Sequence, residues 1–394
     1  MTRDPARRFP LGAAVTAAAL EDDPHPHLAR LRSREPVSWL PALGGWLVTS
    51  RALALEVLRD ADAFTVDDPR FSTAQVVGPS MLSLDGPAHA RHRDPFARPF
   101  RPAPTRERFT AFVETETARL VDGLAPAGHA ELRGDLAGPL AVTVVTEALG
   151  LDGVDAATVR SWYGAFVEAV SAITAGGSAP PRADAAYRLL RAAVQDAIGA
   201  SRPGSLLAHA ARDEAGLTAD EVVANTAVLM FGGIDTTEGM IANAVLHLLG
   251  HPDQLRLVLA DRNLLPNAVE ESLRLEPSAS VVDRYATRDT EIAGTPVRAG
   301  DLVRVSLAAA NRDPAVFPDP DRFDVRRRNA ADHLAFARGP HFCFGAHLAG
   351  LEARVAVTAL LERLPGLRLD PSRPARPRGL VFRRPPYLHV RWDA

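Results

Sequence analysis

Residues Ala219 to Leu249 constrain the fold more than any other stretch of this 394-residue chain. They contain no proline, and the next one is Pro252. The preceding Thr218-Ala219-Asp220-Glu221 is a capping box, whose hydroxyl and carboxylate satisfy the free N–H groups of a helix start. Gly250 is a suitable stop. The pattern predicts one helix of roughly 45 Å, at about 1.5 Å per residue. A helix of that length is uncommon and spans a globular molecule, so other elements must pack around it. Its middle reads Phe231-Gly232-Gly233-Ile234-Asp235-Thr236-Thr237. Two adjacent glycines in a helix interior cost about 1 kcal/mol each relative to alanine. They also let a flat group approach the backbone and make local distortion easy. The acid and hydroxyls that follow can carry protons. The same residues also suit a bendable helix with a solvated aspartate.

Composition narrows the class. At 46% hydrophobic and 24% charged residues, the chain fits a soluble globular protein. A net charge of −3 argues against nucleic-acid binding, whose affinity comes largely from phosphate neutralisation. There is no lysine, so the cations are arginine and histidine. No apolar run reaches the 18 residues of a membrane span. Leu11 to Leu20 is too short and alanine-rich for a signal-peptide core. The single cysteine excludes an internal disulfide and suits a reducing compartment, so a cytoplasmic protein is expected.

Taken in order, Pro36 to Thr49 reads as two short strands about Gly44-Gly45, and Ser50 caps a helix through Leu58. Phe64 to Leu84 lacks periodicity, and irregular stretches of that length are usually functional or disordered. Asp85 can cap the next helix, with Pro87 in its first turn. His89 and Arg93 then share a face, either as a solvated basic surface or as a pair for carboxylates. Helical patterns follow over 104–124, 135–149 (with Gly150 as the terminating residue) and 156–172. Gly176 to Pro181 breaks the chain before a further helix to Ile198. Glu271 and Arg274, on a helix begun by Pro266, are three apart and can pair. Val281 to Ala286 and 290–307 read as short strands, with turns at Gly294 and Gly300. Residues 311–339 are irregular, and Arg368 to Trp392 reads as turns and short strands.

The sole cysteine, Cys343, follows a Gly/Pro-containing segment and precedes a helical pattern from Phe344 to Leu364. A lone cysteine is usually a small buried hydrophobe. At a helix N-terminus, however, free N–H groups and the macrodipole favour thiolate over thiol. Gly339 and Gly345 allow a tight loop to lie against something large. A thiolate presented in this way suits the axial position of a haem iron.

The run Phe336-Ala337-Arg338-Gly339-Pro340-His341-Phe342-Cys343-Phe344-Gly345 resembles the haem-binding signature of the cytochrome P450 family. Phe336, Gly339, His341, Cys343 and Gly345 match, and Ala337 stands where the family usually has glycine. Three further motifs are similar and in the family's order: His89-x-x-x-Arg93, Gly232-Gly233-Ile234-Asp235-Thr236 and Glu271-x-x-Arg274. The resemblance implies a single domain over residues 1–394, mostly α with a smaller β portion and a long central helix. It implies haem b with Cys343 as axial thiolate ligand, and His89, Arg93, Arg284 and His341 as propionate partners. Phe336, Gly232 and Gly233 would lie beside the haem. Asp235 and Thr236 would be the catalytic proton carriers. Glu271, Arg274 and Arg322 (in Pro318-Asp-Pro-Asp-Arg322-Phe323) would form a structural triad behind the cysteine loop.

The implied reaction inserts one oxygen atom of O2 into a lipophilic small molecule, by hydroxylation or epoxidation, in bacterial secondary metabolism. The substrate pocket would draw on the Val66–Leu84 loop, the 165–185 region, Leu229 to Asp235, Ser278 to Val282 and Val381-Phe382. Electrons would come from a ferredoxin or flavodoxin with its NAD(P)H reductase, received at Arg91, Arg98, Arg101, Arg338 and His347. A peroxide-using peroxygenase, a non-catalytic haem-binding partner protein and a cysteine hydrolase using His341 or His347 are the alternatives.

Overall fold

The computed structural model describes residues 5–151, 153–174, 177–200, 205–212 and 214–393. Gly176, in the expected break before Pro181, lies outside them. Helix takes up 59% of the chain and strand about 10%, which makes the mostly-α class with a smaller β portion a finding. The capping box forms as the sequence requires: the Glu221 N–H donates to Thr218 Oγ1 at 3.3 Å, and the Thr218 N–H to Glu221 Oε2 at 2.8 Å.

The long helix is not one helix. It runs Ala219–Gly233 and Asp235–Gly250, interrupted at Ile234, whose φ of −87° and ψ of −74° depart from the ideal helix. The Thr236 hydroxyl donates back to the Gly232 carbonyl across this break, a bond known to bend helices. The two glycines divide the work. A Cβ on Gly233 would stand 2.4 Å from Val145 Cγ2 of the helix Gly138–Leu149, so that contact needs glycine. A Cβ on Gly232 would meet nothing within 4 Å.

Asp235–Gly250 packs on the helix Leu265–Leu275 and on Ala346–Arg363, and the latter lies along Pro102–Leu124. Two contacts set the direction of that last pair. The Phe344 and Phe100 rings are 5.2 Å apart at one end, and Arg363 pairs with Asp122 at the other, so the helices run parallel. A five-stranded sheet covers one side, in the order Val37–Leu40, Gly45–Val48, Leu302–Ser306, Val281–Ala286, Phe64–Thr65. Only Gly45–Val48 with Leu302–Ser306 is parallel. Strand alternation decides the fate of two neighbouring charges. Asp283 pairs across the sheet with Arg304 at 2.9 Å, while Arg284 points inward and is 5% exposed.

Candidate active site

The cysteine loop is held from both sides. The Cys343 N–H donates to the Phe336 carbonyl at 3.0 Å, closing the segment into a narrow hairpin. Gly339 has φ +78°, and a Cβ there would sit 2.1 Å from the Leu58 carbonyl oxygen, so no other residue fits. Ala337 also has positive φ, +56°. That explains why glycine is the easier residue at this position; alanine there carries roughly 1 kcal/mol of local strain.

The helix after the loop begins at Ala346, three residues past Cys343. The N–H groups of Gly345 and Ala346 reach the thiol, and the Arg93 guanidinium lies near it. The sequence predicts that this setting favours thiolate. Surrounding protein desolvates the sulfur more strongly than these groups stabilise charge, so the thiol's pKa is raised. Cys343 nevertheless exposes surface and forms no disulfide. Its N–H donors are therefore placed to support a thiolate once a metal supplies the missing positive charge.

The four expected propionate partners converge. The His89 and His341 rings lie 4.3 Å apart, and Arg93 donates to the Phe342 carbonyl inside the cysteine loop. Burial, then the charges of His341 and Arg93, push the His89 pKa down to about 4. Burial lowers Arg284 as well, whose Nη1 donates to the neighbouring Asp283 carbonyl at 2.7 Å. His89 Nε2 is buried without a partner. Of the acids near this cluster, Asp85 is bonded to His341 and Asp283 is paired with Arg304, which leaves the Arg93 and Arg284 guanidiniums and the orphaned His89 nitrogen with only Asp94 besides to offset them. The two carboxylates of a haem fit that deficit.

Asp85 stands at the expected cap position, but its side chain does not cap the helix Gly86–Ala97. Its carboxylate accepts from Thr65 Oγ1 at 2.6 Å, from the Val66 N–H at 2.8 Å and from His341 Nε2 at 2.7 Å. It thus ties the start of the irregular loop to the cysteine segment. The reason is tertiary: His341 is 256 residues away in sequence.

The structural triad needs one correction. Glu271 and Arg274 are both fully buried and form a bidentate pair, at 2.6 and 2.8 Å. The third side chain is Arg327, whose Nε donates to Glu271 Oε1 at 2.9 Å. Arg322 is exposed and contributes only its carbonyl, accepting from Arg274 and Arg327. Arg327 also donates to the carbonyls of Pro318 and Asp319, stitching the irregular segment to the helix Leu265–Leu275.

On the other side of the long helix, Asp235 Oδ2 accepts from Arg384 Nη2 at 2.9 Å. Arg384 also lies 3.6 Å from Glu238, which pairs with Arg133 and, at 3.4 Å, with Arg160. The Tyr163 hydroxyl is raised well above its ordinary pKa by burial and then by the Asp235 charge. Arg384, Glu238 and Arg327 are functional candidates that motif spacing does not mark.

Of the basic residues expected to receive a partner, Arg98, Arg101 and His347 line one open depression of about 360 Å³, with Asp94, Phe100, Phe342 and Phe344. Arg91 pairs instead with Glu221. Arg338 is bound to the carbonyls of Ala337 and His333. No helix among the described residues is long and apolar enough to cross a membrane.

The cytochrome P450 family model matches residues 198–389. The chain is 39% identical to the cytochrome P450 monooxygenase PikC of Streptomyces venezuelae, over 89% of this chain and 86% of that one. It is 35% identical to the nocardicin C N-oxygenase of Nocardia uniformis subsp. tsuyamanensis, over the full length of both. The crystal structure of HmtN, a post-tailoring hydroxylase involved in himastatin biosynthesis, superposes with a TM-score of 0.82 at 31% identity, covering 100% of both chains.

Proposed function

The chain belongs to the cytochrome P450 family of haem-dependent monooxygenases, and on that premise we propose what its own residues do and on what they act. The reading is a haem b monooxygenase, one domain over residues 1–394, that hydroxylates or epoxidises a lipophilic secondary metabolite in the bacterial cytoplasm. Electrons come from a ferredoxin or flavodoxin with its NAD(P)H reductase. The observation that carries it is the convergence of Cys343 with the charge-deficient cluster of His89, Arg93, Arg284 and His341.

Cys343 would hold the iron and those four side chains would receive the propionates, while Phe336 closes the loop through its carbonyl. When bound, the haem supplies dioxygen binding and O–O cleavage, which thiolate donation favours. Glu271, Arg274 and Arg327 hold the irregular segment that leads to the cysteine loop. Gly232 leaves the helix face beside the break open.

Thr236 commits its hydroxyl hydrogen to the Gly232 carbonyl, so its Oγ1 lone pairs remain to hold a hydrogen-bond donor. Asp235 sits one residue away, held by Arg384. To pass a proton, its carboxylate must take that proton in competition with the guanidinium. The depression lined by Arg98, Arg101 and His347 offers positive charge to an acidic electron donor. The nocardicin C N-oxygenase and the himastatin hydroxylase are similar over the full chain, and the apolar side chains Phe231, Leu229 and Val282 agree with a lipophilic substrate.

The deciding experiment is product formed per NAD(P)H consumed, with a ferredoxin system, for wild type and Thr236→Ala. The proposal expects the variant to take up electrons while product per NAD(P)H falls by tenfold or so, with partial rescue by added peroxide. Unchanged coupling would remove Thr236 from the proton path. Wild-type turnover with peroxide alone, and none with reductase, would establish the peroxygenase reading instead.

A further inference from the structure

Asn225 has no part in the chemistry above, yet its buried carboxamide joins three segments. Its Oδ1 accepts the Met81 N–H at 2.8 Å, and its Nδ2 donates to the Glu221 carbonyl at 2.8 Å. A backbone N–H only donates and a carbonyl only accepts, so the amide orientation is fixed. The same Nδ2 lies 3.1 Å from His92 Nδ1. The other ring nitrogen, Nε2, lies 3.1 Å from Arg91 Nη2 and 3.3 Å from the Glu221 carboxylate. Asn225 is 0% exposed, His92 2% and Met81 4%. Burying such groups is unfavourable unless they are paired, and here each one used is.

Position gives this network its meaning. Leu229 and Gly232 follow Asn225 by four and seven residues and lie along its helix face, and Thr236 bonds back to the Gly232 carbonyl across the break. The Gly78–Leu84 segment is bounded by the helix Ser72–Val77, which packs on Ala156–Thr174, and by Asp85, which is bonded to His341. Within it, the other hydrogen bonds of Ser80 to Ser83 stay local. The Met81–Asn225 bond reaches across to the long helix.

We propose that Asn225 is a positioning residue that sets the Gly78–Leu84 segment against the active-site face of the long helix, and so selects which ligands fit beside Thr236. The Met81 N–H and the Glu221 carbonyl fix the carboxamide's orientation, and the His92 ring packs against its Nδ2. The proposal rests on the haem reading above, and its test separates the two.

The haem-loaded protein is compared with Asn225→Leu, Asn225→Asp and His92→Phe by hydrogen exchange over residues 78–85. Losing one buried hydrogen bond, worth about 1 kcal/mol, should speed Met81 amide exchange roughly five- to tenfold in Asn225→Leu. Asn225→Asp keeps the acceptor for Met81 but sets an oxygen against the Glu221 carbonyl, so Met81 should exchange faster than in wild type and more slowly than in Asn225→Leu. His92→Phe removes the ring nitrogen beside the amide and should fall between Asn225→Leu and wild type. Binding of clotrimazole, a bulky azole, and of imidazole is then read from the shift of the haem absorption band. Asn225→Leu should change the clotrimazole affinity about tenfold and the imidazole affinity less than twofold. Unchanged Met81 exchange in both Asn225→Leu and His92→Phe, or equal shifts for the two azoles, would overturn the proposal. If wild type responds to neither azole, the haem reading is what has failed, and the exchange data still decide whether Asn225 anchors the segment.

Discussion

Replacing Arg327 by alanine should damage the protein far more than replacing Arg322, although only five residues separate them. The Glu271 carboxylate accepts from Arg274 Nε and Nη2, from Arg327 Nε and from the Asp324 N–H, at 2.6 to 3.1 Å. Arg327→Ala deletes one of these and also leaves the carbonyls of Pro318 and Asp319 without its guanidinium. A hydrogen bond to a charged group contributes about 1.5–3 kcal/mol, and breaking a buried ionic group typically costs about 3–5 kcal/mol. Against a total stability of about 5–15 kcal/mol, that shifts the midpoint of unfolding substantially. Arg322→Ala removes an exposed side chain and keeps the carbonyl, so its effect should stay within about 0.5 kcal/mol. The assay is urea unfolding followed by tryptophan fluorescence, with haem content of the purified proteins measured in parallel. Arg327→Ala should show an early transition and low haem content, and Arg322→Ala should match wild type. Equal losses in the two variants would refute the assignment of Arg327 as the third charge.

Two further outcomes follow from the loop and its surroundings. Gly339→Ala places a methyl 2.1 Å from the Leu58 carbonyl oxygen at a φ of +78°, so the loop should misform and haem content fall severalfold; normal loading would show that the loop can relax. Burial pushes the Asp85 carboxyl up, but hydrogen bonds from His341, Thr65 and Val66 outweigh it and hold its pKa at about 2, below the ordinary 3.8. Its contribution is complete above 3.8 and is lost as pH falls through about 2. Asp85→Asn should therefore flatten the acid limb of the stability curve measured by circular dichroism, and an unchanged limb would contradict the role.

Local chemistry made much of this molecule legible. The Thr218 capping box, the Ser50 cap and the turns at Gly150, Gly294 and Gly300 all form where their residues demand. Cys343 could be singled out because the loop chemistry around it is local too. What escaped depends on which distant atoms meet. Arg322 and Arg327 lie in the same periodicity-free segment, and nothing in their spacing says which one turns inward to Glu271. Asp85 has the residue type of a cap, but Thr65, Val66 and His341 claim its oxygens first. The break at Ile234 needs both Thr236 bonding back to Gly232 and the close approach of Val145 to Gly233. Asp235 and Arg384 are 149 residues apart, so no window of sequence shows their pairing.

The central claim is that Cys343 is the axial thiolate of a bound haem. The most direct test is the absorption spectrum of the reduced protein under carbon monoxide, for wild type and Cys343→Ser. Wild type should show the strongly red-shifted Soret band of thiolate ligation, and Cys343→Ser should lose it while far-ultraviolet circular dichroism stays unchanged. A wild-type protein without that band, or a serine variant that keeps it, would contradict the account.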